Sequence, residues 1–145
     1  MFLKELSKEE ANAFLNLVSI FAKIDNEFAK EEKALLDEYK EELGLVGSEI
    51  KEIGYEDVIQ NLKSSSERAR RIIYFELVGL ALVDGEYEEE EVDFLEKIAS
   101  EFNIPRAKRI AIANYFYNFT DVYNFTTVDA ENNIELLKEQ AEMIL

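Results

Sequence analysis

Carboxylates in two short stretches are the residues of this chain whose type and spacing could do chemistry. "AKIDNEFAKEE" at 22–32 carries Asp25, Glu27, Glu31 and Glu32, and "ALVDGEYEEEE" at 81–91 carries Asp84, Glu86, Glu90 and Glu91. Carboxylate oxygens are hard ligands, suited to Ca2+ or Mg2+ and to Mn2+. The chain has no Cys and no His, so structural Zn2+ is a poor fit. The second stretch reads like the closing half of an EF-hand loop, with Asp84 at its fifth place and Glu91 at its twelfth. The first and third places fall on Leu80 and Leu82, and in the other stretch on Phe21 and Lys23. An ordinary EF-hand is therefore excluded in both. A composite site remains, with Asp25 and Glu32 from one stretch meeting Asp84 and Glu91 from the other around one cation. Glu27, Glu31, Glu86 and Glu90 are secondary candidates.

The same residues also fit a reading without an ion. Glu32 and Glu91 fall near the third position of their helices, where a carboxylate can accept the N-cap backbone N–H. Acids in a first turn complement the helix dipole, each contributing roughly 0.3–1 kcal/mol. Asp25 and Asp84 could close their turns with a side-chain hydrogen bond, and Tyr87 with Val92 could form a hydrophobic staple. Both readings stand on the residues alone.

The elements that must position these acids form a duplication. Displaced by 59 residues, 22–45 lies on 81–104 without a gap. Ala22, Asp25, Glu27, Glu31, Glu32, Leu36 and Glu42 then meet identical residues at Ala81, Asp84, Glu86, Glu90, Glu91, Leu95 and Glu101. Asn26 meets Gly85, the residue types that best tolerate a left-handed backbone. Each half reads as helix, tight turn after Asp, helix. Two such hairpins packed about a pseudo-two-fold axis would bring the acidic turns together.

The pattern Ala-x-x-Asp-Gly-Glu-apolar-x-x-x-Glu, present twice in an all-helical chain of this size, resembles the TerB-like family, named for a tellurite-resistance protein. The resemblance covers roughly residues 8–118. It implies a compact helical domain with a divalent-cation site made by the motif acids. It also implies an association with stress response, tellurite resistance and membrane-associated complexes. The chain departs from the pattern at Asn26, which replaces the first Gly. Ala29 and Glu88 stand where a Ser, Thr or Asp would cap the second helix of each hairpin, and the aromatic tail after 118 has no counterpart.

Helix signals set an all-α expectation: one domain over 1–145, a compact bundle of about seven to eight helices. Its two pseudo-repeated helix-turn-helix units span about 8–45 and 65–104, with C-terminal helices over 105–145. Ser7 with Glu10 forms a capping box opening a helix at about 8–24, and a second runs from about 30 to 43, stopping near Gly44. Residues 48–62 read as one or two short helices broken near Gly54. Ser64 with Glu67 reads as another capping box, opening a helix that runs to about 83. Helices at about 88–102, 105–118 (opened by Pro105) and 129–143 complete the chain. "IIYFELVGLALV" is apolar almost all round, which predicts a central, buried helix. Glu76, its only charge, is expected at an edge or paired with an Arg from "RARR" at 68–71. "NYFYNFTDVYNF" at 114–125 holds six aromatics, expected to cover the bundle where its last two helices turn, with a binding surface as the alternative.

The net charge of −16 disfavours DNA and RNA and an anionic membrane surface. It suits cations or a basic protein partner. The longest near-apolar run, "LVGLALV" at 77–83, is too short for membrane insertion. The opening residues lack the features of a signal peptide, so a cytoplasmic protein is expected. Without His or Cys, neither a Ser-His-Asp nor a Cys-His centre can be built, and there is no Gly-rich phosphate loop. The expected function is that of a non-enzymatic TerB-like domain, binding a divalent cation through paired acidic turns and engaging a protein partner. A metal-free acidic module is the alternative, and a metal-dependent hydrolase using the same carboxylates is the reading least favoured.

Overall fold

The computed structural model describes the backbone of residues 2–24, 26–83, 88–122 and 127–145; side chains at 26–32, 83 and 119–134 also lie outside the description. After a 3-10 turn at Leu3–Glu5, the described helices are α1 (Lys8–Ile24), α2 (Asn26–Glu42), α3 (Tyr55–Lys63), α4 (Glu67–Val83), α5 (Glu89–Glu101), α6 (Arg106–Val122) and α7 (Thr127–Ile144). Among the described residues there is no strand. The all-α expectation is met.

The caps explain where the helices start and stop. Ser7 Oγ accepts from Glu10 N–H at 3.2 Å, and Ser7 N–H donates to the Glu10 carboxylate at 2.8 Å. This is the reciprocal box read from the sequence. At α4 the cap is Ser66, whose Oγ accepts from Ala69 N–H at 3.1 Å. Ser64, the residue expected there, instead donates to Asn61 O. α2 ends at Gly44 (φ +71°), with Leu45 N–H reaching back to Lys40 O and Gly44 N–H to Glu41 O. α5 ends at Asn103 (φ +55°), with Ile104 N–H reaching Ala99 O and Asn103 N–H reaching Ser100 O. Both are left-handed C-caps of the Schellman type. Each pair of equivalent positions is 59 apart: Ser7 and Ser66, the two ends of α1 and α4, Glu42 and Glu101, Gly44 and Asn103.

The segment between α2 and α3 differs from expectation. Helix begins only at Tyr55, with Gly54 extended as its N-cap (φ −73°, ψ 163°). The reason lies on α1. Asn12 and Asn16, one turn apart, bind the main chain of the segment before Gly54. Both amides donate to Lys51 O at 2.9 Å. Their carbonyls accept from Lys51 N–H and Ile53 N–H. A main chain held by side-chain amides at alternate residues has no helical partners to make.

α4 is central. It packs against α1, α5, α6 and the first 3-10 turn. Ile72, Ile73, Phe75, Leu77 and Val78 are all buried. α1 brings Phe14, Leu17 and Phe21 to the same core, and α5 brings Leu95 and Ile98. Of the aromatic stretch, Tyr115 is buried and donates to Leu137 O at 3.0 Å, tying α6 to α7. Phe116 packs on Phe75 at 4.7 Å between ring centroids. Tyr117 is exposed. Tyr115 and Phe116 cover the bundle and Tyr117 does not; Phe119, Tyr123 and Phe125 lie outside the described side chains.

Two outcomes follow. A methyl group at Gly79 would stand 2.7 Å from the Phe116 ring. Gly79→Ala therefore gains about 1 kcal/mol of helix propensity but must displace a ring held by Phe75 and Tyr115. We expect a net loss of about 1–2 kcal/mol in urea unfolding, since overpacking typically costs about 1–3 kcal/mol; a stabilised protein would refute the close approach. Asn16→Ala removes the donor and acceptor of a buried clamp and should cost about 1–3 kcal/mol. Hydrogen exchange at Ile53 N–H should accelerate with it.

Candidate functional site

Of the acids singled out from the sequence, Asp25, Glu27, Glu31, Glu32, Asp84 and Glu86 lie outside the described side chains. The two that can be placed go opposite ways. Glu90 is exposed on the first turn of α5, as are Glu88 and Glu89. Glu91 is fully buried, on the face of α5 that carries Phe94, Leu95 and Ile98 into the core. Only Glu91 and Asn16 are buried polar residues among those described. The α5 N-terminus offers Glu91 favourable dipole contact in the first turn. Helix phase thus sets Glu90, a secondary candidate, in solvent and Glu91, a primary one, in the interior. The described residues alone hold no group of three acidic side chains able to grip a metal ion.

A second acidic centre was read differently from sequence. Glu76 is half-buried on α4. Burial pushes its carboxyl above the usual carboxylate range; the N-terminal ammonium opposes this by its charge and a hydrogen bond, Glu42 pushes further up, and the Phe2 backbone N–H adds a smaller opposing hydrogen bond. Tyr39 stands nearby, its phenol pushed up by burial and by the charges of Glu76, Glu42 and Glu38. Glu76 was expected at an edge or paired with an Arg from 68–71; its half-buried position is compatible with the first, and the second fails because all three arginines are engaged elsewhere. Arg68 grips Glu5 and Glu142 with paired bonds of 2.7–3.0 Å. Arg70 donates to the carbonyls of Lys63 and Ser65 at the end of α3. Arg71 reaches Glu67 and Leu145 O. On a helix, residues at 68–71 lie more than a turn before 76 and on other faces, so the outcome follows from helix geometry.

Sequence reasoning missed the asparagine clamp. Its signal was there: Asn12 and Asn16 sit at i, i+4 among the apolar residues of α1, on a face otherwise facing the core. It also missed a groove between α4, α5 and α6. The volume is about 440 Å3, and Tyr74, Val78, Val92, Ile110 and Ala113 form its walls. Its polar residues are Glu96, Arg106 and Arg109. Arg109 Nη1 donates to Glu96 at 2.8 Å, and its Nε donates to Ile104 O at 2.9 Å. No element of the acid repeat pointed to this place.

The buried acid gives a pH prediction. A carboxyl whose pKa is raised by folding favours the protonated form in the native state. The cost is absent below the ordinary glutamate range and grows as pH rises through that range to the folded value. Glu76→Gln should therefore stabilise the protein at neutral pH, and the gain should shrink as the pH falls toward the ordinary glutamate range. Melting curves of both proteins across that window test it; a gain constant with pH would show that charge is not its cause.

A family model described as tellurite resistance protein TerB matches residues 48–114, and this supports a TerB-like assignment. The match spans α3, α4, α5 and the first half of α6, just under half of the chain, and includes the second acidic stretch but not the first. Comparison with curated proteins and with solved structures finds no match.

Proposed function

We propose that this TerB-like chain is a non-enzymatic cytoplasmic domain that binds one divalent cation, Ca2+, Mg2+ or Mn2+, through its two acidic turns. The ligands are Asp25 and Glu32 from one turn with Asp84 and Glu91 from the other. Cation binding orders the turns and so sets a surface for a protein partner, in a stress-response or tellurite-resistance setting of the kind the family name implies.

One observation carries the reading. Caps and helix ends correspond at a separation of 59 residues from Ser7 and Ser66 through Gly44 and Asn103. Asp25 and Asp84 follow the last residues of α1 and α4 at equivalent points of that frame. Symmetry that keeps the acids as well as the caps has a physical use: carboxylates from two equivalent turns repel until a cation neutralises them. The family match over the second turn adds to it. A cation there would also favour the ionised form of Glu91 in its buried position.

The charge supports a second reading. Glu88, Glu89, Glu90 and Asp93 are all exposed along the start of α5. On a chain of net charge −16 they suit a basic protein partner with no metal at all.

Calorimetric titration of chelator-treated protein with Ca2+, Mg2+ and Mn2+ separates the two. We expect saturable binding of one ion per chain, lost when Asp25 and Asp84 are changed to Asn while the helical circular-dichroism spectrum is kept. At a hundredfold excess over Kd, the ion should stabilise the fold by about 2.7 kcal/mol. Absence of heat and of any melting shift at millimolar metal would leave the metal-free module. Turnover of a phosphoester that stops with chelator would instead make it a hydrolase.

A further inference from the structure

The charge of the groove between α4, α5 and α6 runs against that of the rest of the chain. The chain carries 32 acids against 16 bases. The groove carries two arginines and one glutamate. Arg109 is spent, held by Glu96 and by Ile104 O. That leaves Arg106 as the net charge of the groove. Among the described residues it is the one arginine with neither a hydrogen bond nor an ion pair.

Its place on α6 is unusual for this chain. α1, α3, α4 and α5 each open on acidic residues, as the helix dipole favours. α6 has no acid in its first turn and carries Arg106, Lys108 and Arg109 there. Two of these cations have internal work. Lys108 holds the carbonyls of Ile144 and Leu145, and Arg109 holds Glu96 and Ile104 O. Arg106 stands at the positive end of the helix with no such use.

The walls beside it are apolar. Val78, Val92 and Ala113 line the trough, and Ile110, one turn along α6 from Arg106, is 50% exposed. An inorganic anion at Arg106 would leave these walls wet. A metal cation would be repelled. A nucleic acid needs many phosphate contacts, which one unpaired arginine on a strongly acidic chain cannot supply. The chemistry that satisfies both parts is a carboxylate adjoining an aliphatic or aromatic group. Glu96, Arg106 and Ile110 leave the trough open to solvent at its rim, which suits a segment of chain laid against it.

We propose that this groove docks a short acidic-apolar peptide segment of a partner protein. The apolar side chain lies against Val78, Val92 and Ile110, and the neighbouring Asp or Glu pairs with Arg106, the guanidinium fork favouring two parallel bonds. The Arg109–Glu96 pair forms the far rim and screens a second acid from binding in the wrong register. This site needs no metal and stands whether or not the acidic turns bind one.

The test uses the isotope-labelled full chain in chelator, titrated by NMR with acetylated, amidated peptides. Each peptide carries one Glu or Asp beside Leu, Ile, Val or Phe in a Gly-Ser background, and a matched set carries Gln or Asn. The expected result is saturable shifts at the Val78, Val92 and Ile110 amides, with acid peptides at least about tenfold tighter than amide ones. Arg106→Glu should weaken the acid peptides by at least about tenfold, one order of magnitude in Kd. It should also restore binding to peptides with Lys in place of Glu. Arg106 is exposed, so its melting curve should not move; Ile110→Ser, also at an exposed site, provides a second variant that weakens all the peptides together. The proposal is overturned by no saturable shift with any peptide at millimolar concentration, by equal affinity for amide peptides, or by affinity unchanged in Arg106→Glu. Shifts produced by octanoate but by no peptide would make the occupant a small monocarboxylate. A dimer in sedimentation equilibrium that Arg106→Glu dissociates would make it a second copy of this chain.

Discussion

The structure depends on enclosing one helix. α4 is apolar around nearly its whole circumference, so it can exist in water only inside other elements. Burying a large aliphatic or aromatic side chain is worth about 1.5–3 kcal/mol, and α4 buries a run of them from Ile72 to Leu82. Against that stands about 1–2 kcal/mol of backbone entropy for each residue ordered. The ledger favours folding only if helices close over α4 on several sides, and α1, α5 and α6 do so. Gly79 marks how tightly: α6 approaches so closely there that Phe116 occupies the space of a methyl group.

Enclosure on this scale leaves much of the surface to the acids, and several of the cations become fasteners. Arg68 bridges the first turn of the chain to α7 through Glu5 and Glu142, with the Phe2 ring 5.7 Å beneath it. Its carboxylate partners are both held below their usual range, Arg68 being the main cause in each. Arg70 closes the end of α3, and Arg71 with Lys108 closes the end of α7. Lys97 lies over the Tyr55 ring at 4.3 Å. Exposed ion pairs contribute little each; their consequence here is positional. They fix the short and late helices to the rest of the bundle.

How much of this was legible depended on whether the cause was local. Caps and periods are local, so the helices and the 59-residue frame could be read directly. Even the misplaced cap was available: the displacement that pairs Asp25 with Asp84 also pairs Ser7 with Ser66, and Ser64 with nothing of its kind. The extended segment before Gly54 was not available, because Ile50 and Ile53 have helical spacing and the amides that hold the main chain come from α1, more than thirty residues away. The Arg alternative for Glu76 failed for a similar reason. A cluster of arginines nearby in sequence suggested a partner, but their partners are Glu5, Glu142 and carbonyls that only the fold brings near. The acidic run at 88–91 could not be divided by composition. Helix phase divides it, turning Glu91 inward and leaving the other three in water.

α5 is where the two readings of function meet. Its first turn carries Glu91, a candidate ligand, and the very next residue, Val92, is a wall of the groove; Glu96, one turn on, holds Arg109. A change made on α5 therefore perturbs both places at once, and a lost interaction there has two explanations. α6 does not share this ambiguity. Arg106 and Ile110 stand on α6, outside both acidic stretches of the sequence, and are exposed. Asp25 and Asp84 are the complementary choice, since neither belongs to α5 or α6. The fold thus offers a separate handle for each idea, and cation binding that altered peptide affinity with α5 left intact would place the coupling in α5 itself.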